Sequence, residues 1–263
     1  MNLGLQDKSC VVLASSAGLG LAVARSLLRE GARVQISGRA PDRLQAAVDE
    51  LRPDHGERVH GELLDVTDGA ALERHLEGVR ERWGTVHVLV TNAGGPPPGP
   101  AADVTPEGLD ASAELTLKSA VRAVLAVLPW MREQRFGRIL ALTSLAVRQP
   151  VANLVYSNVQ RSGLTAFLKT LSNEVARDGV LVNSVCTGLF DTERLQSLFE
   201  SRARASGRTA AEERELAAAA LPIGRIGDPA EFGDLVAFLA SERASYVNGV
   251  ALPVDGGASS SLL

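Results

Sequence analysis

Cysteine, aromatic side chains and an excess of basic residues are all scarce in this chain of 263 residues. The two cysteines, Cys10 and Cys186, fall in predicted strands, so we expect buried thiols and neither a disulfide framework nor a metal site. Lysine and arginine total 27 against 31 acidic residues, and the net charge of −4 argues against a nucleic-acid partner. No apolar run approaches membrane-spanning length, and residues 1–8 lack the pattern of a signal peptide. These absences predict a cytoplasmic protein without a membrane partner.

What the sequence does contain is a short apolar run, a turn of small residues and a helical pattern between Cys10 and Glu30. Residues 11–14 suit a buried strand, and the apolar residues after Gly20 recur at helical spacing. A strand, a turn and a helix in this order aim backbone N–H groups and the positive end of a helix dipole at a phosphate. Gly18 and Gly20 allow close backbone approach. The pattern predicts a phosphate-binding turn, although a glycine turn that binds nothing would look the same locally.

Short apolar strands alternate with helical segments along the whole chain. Seven strands are predicted, near residues 11–14, 33–37, 58–64, 86–90, 137–142, 180–185 and 250–254. Continuous apolar strands between helices predict a parallel sheet with helices on both faces. We therefore expect an α/β fold with a single domain over residues 1–263. Asp68 is expected to cap the helix that follows the third strand. The segment at about 190–222 is polar, alanine-rich and helical, with a break at Gly207, and we expect it to cover a substrate pocket as a lid.

Several motifs occur together in a characteristic order: ASSAGLG at 14–20, LDV at 64–66, TNAG at 91–94, GRILALTS at 137–144, VNSV at 182–185 and the ending at 224–257. Through these motifs the chain resembles the short-chain dehydrogenase/reductase family over residues 8–257. The resemblance implies a seven-stranded Rossmann sheet that holds a nicotinamide dinucleotide. It also implies activity on ketones or 3-oxoacyl thioesters. A homotetramer would form through long helices predicted at 106–134 and 153–177.

The same resemblance implies where the dinucleotide lies. The implied residues are Ser15, Ser16, Gly18, Leu19 and Gly20 at the pyrophosphate, Asp65 and Val66 at the adenine, Asn92, Ala93 and Gly94 beside the adenosine ribose, and Gly188 after the sixth strand. The alternatives are that Asn92 is a turn residue at a strand end and that Asp65 only begins a helix.

Arg39 bears on the choice between NADP and NAD. A carboxylate that binds the ribose 2′-hydroxyl belongs at the end of the second strand, where this chain has Gly38 and then Arg39. A guanidinium can grip a 2′-phosphate bidentately, and Ser37 could add a hydroxyl. We therefore expect NADP rather than NAD, the alternative being that Arg39 is a solvated residue at a helix start.

The catalytic positions depart from the family pattern, which uses an asparagine, a serine, and a tyrosine four positions before a lysine. Ser144 fits the serine, but Thr116 stands at the asparagine, Ser157 at the tyrosine and Arg161 at the lysine. Arg161 also falls where the family holds the nicotinamide ribose. A serine hydroxyl is a far weaker acid than a phenol of pKa about 10. Tyr156 lies about 100° around the helix from Ser157, so it is either the acid of a locally irregular helix or a packing residue.

Three functions are compatible with these residues. The first is an NADP-dependent oxidoreductase that transfers a hydride between nicotinamide and a carbonyl or secondary alcohol, with Ser144 on the carbonyl oxygen and Arg161 on the developing alkoxide. The second is a dinucleotide-binding protein with little redox activity, a sensor or a partner subunit. The third is a non-redox lyase, because the fold does not determine the reaction. The sequence does not identify the substrate.

Overall fold

One sheet of parallel strands organises the molecule, and the computed structural model describes it over residues 1–261, so residues 262 and 263 of the predicted domain lie outside the described part. The strands are β1 (Ser9–Val12), β2 (Arg33–Gly38), β3 (Val59–Leu63), β4 (Val88–Thr91), β5 (Gly137–Ser144), β6 (Val180–Thr187) and β7 (Ala251–Val254). Their order is β3-β2-β1-β4-β5-β6-β7, and every pairing is parallel. Successive strands are added toward one edge from β1 to β3 and toward the other edge from β4 to β7. The switch point between β1 and β4 is where doubly wound sheets bind ligands.

Nine α-helices cover the two faces of the sheet over the described residues. They are α1 (Gly18–Arg29), α2 (Pro41–His55), α3 (Gly69–Trp83), α4 (Pro106–Ala113), α5 (Ser119–Glu133), α6 (Val155–Val175), α7 (Glu193–Ser206), α8 (Ala210–Ala219) and α9 (Pro229–Ala240). Cys10 and Val12 of β1 enter a core formed with α1, α2 and α9, whereas Val11 enters a second core formed with α3, α5 and α6. This alternation follows from the two-residue period of a strand. The predicted α/β architecture is confirmed.

The long helix predicted at 106–134 is interrupted in the structure. Residues Glu114–Lys118 form a π-helical turn between α4 and α5. The Glu114 carboxylate accepts hydrogen bonds from Lys118 at 2.7 Å and from Arg122 at 2.8 Å, which ties the turn to α5. A π turn adds a residue to the helix without breaking its axis, so apolar spacing alone could not reveal it. The turn places Thr116 in the interior.

The segment predicted as a lid folds into α7 and α8, with a small apolar cluster of its own. Leu195, Phe199 and Leu221 contribute to that cluster. Thr192 caps α7 by accepting a hydrogen bond from the Leu195 N–H at 3.3 Å, and Gly207 ends α7 in a left-handed conformation. Gly207 was predicted as a break, and the structure confirms it. Over residues 1–261, no helix combines the length and apolarity needed to cross a bilayer.

Candidate active site

The turn between β1 and α1 is held by side chains from neighbouring strands. Asn92, just after β4, donates from Nδ2 to the Ala14 carbonyl at 2.9 Å. The Ser37 hydroxyl accepts from the Ala14 N–H at 3.2 Å, and the Ser15 hydroxyl accepts from the Ser37 N–H at 3.1 Å. The Ser37 side chain, which the sequence offered to a 2′-phosphate, is therefore buried and already bonded within the turn. Asn92 helps to hold the turn, and its position beside the adenosine ribose stays a prediction.

Backbone atoms approach one another closely at this turn. A Cβ at Gly20 would lie 2.8 Å from the Ser15 Cα, so α1 can pack against the turn only with glycine at that position. Ala14 has φ of 47°, a left-handed conformation that costs an L-residue about 1–2 kcal/mol. Ala17 precedes α1 and provides no side-chain cap for its first N–H groups. An uncapped helix start beside a tight turn is suited to binding an anion.

At the outer end of the cleft, Arg39 extends toward solvent. Its Nη1 lies 3.7 Å from Asp65 Oδ2, and 67% of its side chain is exposed. The pKa of Asp65 is lowered by hydrogen bonds from Thr67 and by the charge of Arg39. A Cβ at Gly38 would fall 2.5 Å from Ser16 Oγ, so a carboxylate side chain does not fit there without displacing Ser16. An open guanidinium without a competing carboxylate at Gly38 suits a 2′-phosphate.

At the inner end, a pocket between β4, the π turn and α6 contains Arg161 and two unpaired hydroxyls. Arg161 is 8% exposed and donates from Nη1 to the Leu142 carbonyl at 2.7 Å. Burial, and to a smaller extent the positive charge of Arg194, lowers the pKa of Arg161 to about 10, so it stays protonated at neutral pH. The hydroxyls of Thr91 and Thr116 are buried without a hydrogen-bond partner. Such groups are rare in folded proteins, which indicates that a polar ligand or water completes this pocket.

Ser144 and Ser157 stand at two of the predicted catalytic positions. The Ser144 hydroxyl, at the carboxyl end of β5, accepts a hydrogen bond from the Ala146 N–H at 3.1 Å. Ser157 is buried on α6, one helical turn before Arg161. Neither serine hydroxyl donates a hydrogen bond to any of the residues that the structure describes. The Ser144 proton is therefore available to a substrate oxygen.

Tyr156 is directed to a different part of the protein. Its hydroxyl accepts a hydrogen bond from the Thr105 N–H at 3.2 Å, at the start of α4. Its ring lies where a side chain at Gly108 would be, so the tyrosine packs tightly on α4. The helix entry is regular from Val155, without the shift that a catalytic Tyr156 requires. These contacts favour the packing alternative for Tyr156, and its role as the acid stays a prediction for experiment to test.

The remaining predicted cofactor positions have different surroundings. Val66 is buried in the core on the α3 side, and Ala93 packs against the same core. Leu19 packs against the opposite core, and Gly188 lies tightly against the backbone that follows β7. A Cβ at Gly94 would meet nothing within 4 Å, so the loop after β4 is open there. Gly94 therefore lies at the accessible surface of the cleft, whereas the others shape its walls.

The beginning of α7, where the expected lid starts, lies against this cleft. The Thr192 methyl carbon lies 3.6 Å from the position of a Cβ on Gly18, in the phosphate-binding turn. The Arg194 guanidinium occupies the space that a side chain on Gly95 would need. Functional residues collect at the carboxyl ends of parallel strands. Thr192 and Arg194 follow the sixth strand closely, so their position in the sequence indicates that they belong to the site.

A doubly wound sheet with an anion-binding turn at its switch point, and a cation and hydroxyls beside it, is the arrangement of a dinucleotide-binding Rossmann protein. Residues 13–259 match the family model described as enoyl-(acyl carrier protein) reductase. The chain is 33% identical to dehydrogenase/reductase SDR family member 4 of Oryctolagus cuniculus, over 98% of this chain and 96% of that protein. It is 32% identical to the 3-oxoacyl-(acyl-carrier-protein) reductase FabG of Escherichia coli, over 97% and 98%.

A solved structure is similar as well. L-sorbose reductase from Gluconobacter frateurii, complexed with NADPH and L-sorbose, superposes with a TM-score of 0.95 at 32% identity, over the full length of both chains. The chain therefore belongs to the short-chain dehydrogenase/reductase family, as its motifs indicated, and it is an NAD(P)-dependent oxidoreductase.

Proposed function

We propose that this protein is an NADPH-dependent reductase that acts on a ketone or a 3-oxoacyl-type carbonyl. The observation that carries this proposal is the buried, protonated Arg161 among unpaired hydroxyls at the inner end of the cleft. Relatives over the whole length of the chain are reductases, and the sorbose reductase structure contains NADPH. NADPH, when bound, supplies the hydride.

The residues of the cleft fit this cofactor. The uncapped start of α1 would hold the diphosphate, and the exposed Arg39 would hold the 2′-phosphate. Asp65 stands beside Arg39 at the adenine end. Arg161 and Thr116 offer a charged donor and a free hydroxyl to the nicotinamide ribose. Arg39, unlike an acidic residue, favours NADP over NAD.

Two groups of the chain would act on the substrate oxygen. Ser144 would donate its free proton in a hydrogen bond to the carbonyl oxygen. Arg161 uses one N–H on the Leu142 carbonyl and has further donors to stabilise negative charge on that oxygen. Because Arg161 stays charged, it does not deliver the proton itself. The small side chain of Ser157 leaves space, where the family has a phenol, for the water that we propose as the proton donor.

A second function is favoured by one specific observation. The family's phenol is replaced by Ser157, and the neighbouring Tyr156 is bonded to Thr105 on α4. A protein without this acid could bind the dinucleotide and turn over little, as a sensor or partner subunit. The two functions agree on cofactor binding and differ on turnover.

The experiment that separates them is NADPH oxidation, followed by absorbance, against a panel of ketones, diketones and 3-oxoacyl thioesters. The dissociation constant of NADPH is measured in parallel by fluorescence titration. Turnover of at least one carbonyl is the expected result. Tight NADPH binding with no turnover across the panel would contradict the reductase proposal and favour the binding protein.

We also propose a homotetramer, with residues 190–222 acting as the lid of each subunit. Leu125 on α5 and Val159 on α6 are 52% and 50% exposed, on the two helices that would pair. Isologous pairing of these helices with their copies would cover them. Light scattering that gives the 27.7 kDa mass of one chain at micromolar concentration would contradict the tetramer.

A further inference from the structure

Two arginines lie beside the loop that follows β4, at the inner end of the cleft, and among the described residues neither has an acidic partner. Arg161 projects from α6 into the pocket and is nearly buried. Arg194 projects from the first turn of α7 and lies against Gly95, in the loop after β4. Burial, and to a smaller extent the charge of Arg194, lowers the pKa of Arg161. Two cations therefore lie beside the loop after β4, and neither is paired with a carboxylate among the described residues.

The acidic residues beside Arg194 are paired with other partners. Glu193 extends to Arg43 of α2, at 3.1 Å. Asp191 binds Arg214 bidentately, at 2.6 and 2.7 Å. Arg194 itself makes no hydrogen bond or ion pair anywhere within residues 1–261. The Arg194 guanidinium has unused N–H donors and a positive charge that no carboxylate of residues 1–261 neutralises. An oxyanion would accept hydrogen bonds from these donors and neutralise the charge.

A second observation at the same place also indicates a ligand. Thr116 is 3% exposed, and its hydroxyl lacks a hydrogen-bond partner although it lines the pocket with Arg161. A buried hydroxyl without a partner costs about 1–3 kcal/mol unless a ligand or water satisfies it. The pocket thus presents both unused charge and an unused hydroxyl.

We propose that Arg194, at the start of α7 beside the pocket that contains Arg161, holds an oxyanion in the cleft. Two sources carry this chemistry, the diphosphate of the dinucleotide and a carboxylate on the substrate. The first is expected because Thr192, in the same helical turn as Arg194, lies against Gly18 of the phosphate-binding turn. This inference uses the cofactor site of the proposed function but does not depend on turnover.

The test replaces Arg194 with methionine, which keeps the length of the side chain and removes its charge. Arg204→Met is the matched control, because Arg204 lies exposed on the same helix away from the cleft. Dissociation constants are measured by calorimetry for NADPH and for adenosine 2′,5′-bisphosphate, which lacks the nicotinamide-side phosphate. If the ligand is the diphosphate, Arg194→Met raises the dissociation constant of NADPH about tenfold or more and changes that of the bisphosphate less than twofold. Arg204→Met changes neither dissociation constant.

A second arm tests the substrate source with acetoacetate and methyl acetoacetate, titrated into the enzyme saturated with NADP⁺. For a carboxylate ligand, NADPH affinity is unchanged in Arg194→Met and the preference for the acid over the ester falls about tenfold. Arg194→Lys restores part of either effect, because it restores the charge. If Arg194→Met folds normally and alters neither NADPH binding nor the preference for the acid, the proposal is overturned. Because both arms measure binding, an enzyme that reduces nothing in the carbonyl panel still tests it.

Discussion

Replacing Arg161 with alanine tests the central element of the proposed site. Arg161 is the cation that we place on the substrate oxygen, and its Nη1 is 2.7 Å from the Leu142 carbonyl. Loss of one oxyanion donor typically lowers kcat by about 100-fold to 1000-fold, or about 3–4 kcal/mol in the barrier. We expect a loss in this range for Arg161→Ala on whichever carbonyl the panel identifies.

The effect on stability can be worked out separately. Burial lowers the pKa of Arg161 to about 10, so holding its charge in the pocket has an unfavourable free energy. Removing Arg161 relieves that cost but leaves the Leu142 carbonyl without its donor, which costs about 1–3 kcal/mol, and it creates a cavity. These contributions largely offset each other, so we expect a large loss of activity with a small change in Tm.

The assay is steady-state NADPH oxidation, with NADPH affinity measured by fluorescence and Tm by circular dichroism. Arg161→Lys should recover part of the lost kcat, since the charge survives but the planar fork of donors does not. Ser157→Ala is the control on the same helix face and should change kcat little, because the serine hydroxyl is not the proton donor. A loss of kcat below tenfold for Arg161→Ala, with normal NADPH binding, would refute the role of Arg161.

Three further predictions follow from individual side chains. Arg39→Asp should weaken the binding of NADPH by about 1–3 kcal/mol and leave the binding of NADH unchanged. Equal affinity of the wild type for both cofactors, measured by titration, would contradict this. Tyr156→Phe should keep full kcat, because the tyrosine hydroxyl only accepts the Thr105 N–H; a large loss of kcat with normal NADPH binding would restore Tyr156 as the acid. His87 accepts the Ser9 N–H at 3.1 Å, and burial lowers its pKa to about 4, below the 6.5 of the unfolded chain. Above pH 6.5 His87 is neutral in both the folded and the unfolded state, so it has no effect on the free energy of unfolding. As the pH drops from 6.5 toward 4, the unfolded chain takes up the proton first, and the free energy of unfolding falls by about 1 kcal/mol at pH 5 after allowance for partial exposure. Urea unfolding at pH 7 and pH 5 measures this loss, which His87→Gln should reduce and which must be absent if the histidine titrates normally.

The sequence by itself determined the fold and the kind of site. Apolar strands alternating with helices require a parallel sheet, because each crossover helix must return the chain to the same edge. The cap at Asp68 and the break at Gly207 were also readable, since they depend only on residues next to them. The departure from the family at Ser157 and Arg161 is a sequence prediction that rests on their spacing along one helix.

Only the tertiary structure decided what several site residues do. Ser37 and Ala14 are 23 positions apart, and their hydrogen bond depends on β1 and β2 being neighbours. Tyr156 could be assigned to packing only when α4 was placed beside α6. The position of Arg194 against Gly95 depends on how α7 folds back over the cleft. Local periodicity encodes which face a residue takes, whereas the partner on that face comes from a distant part of the chain and is set by strand order and helix packing.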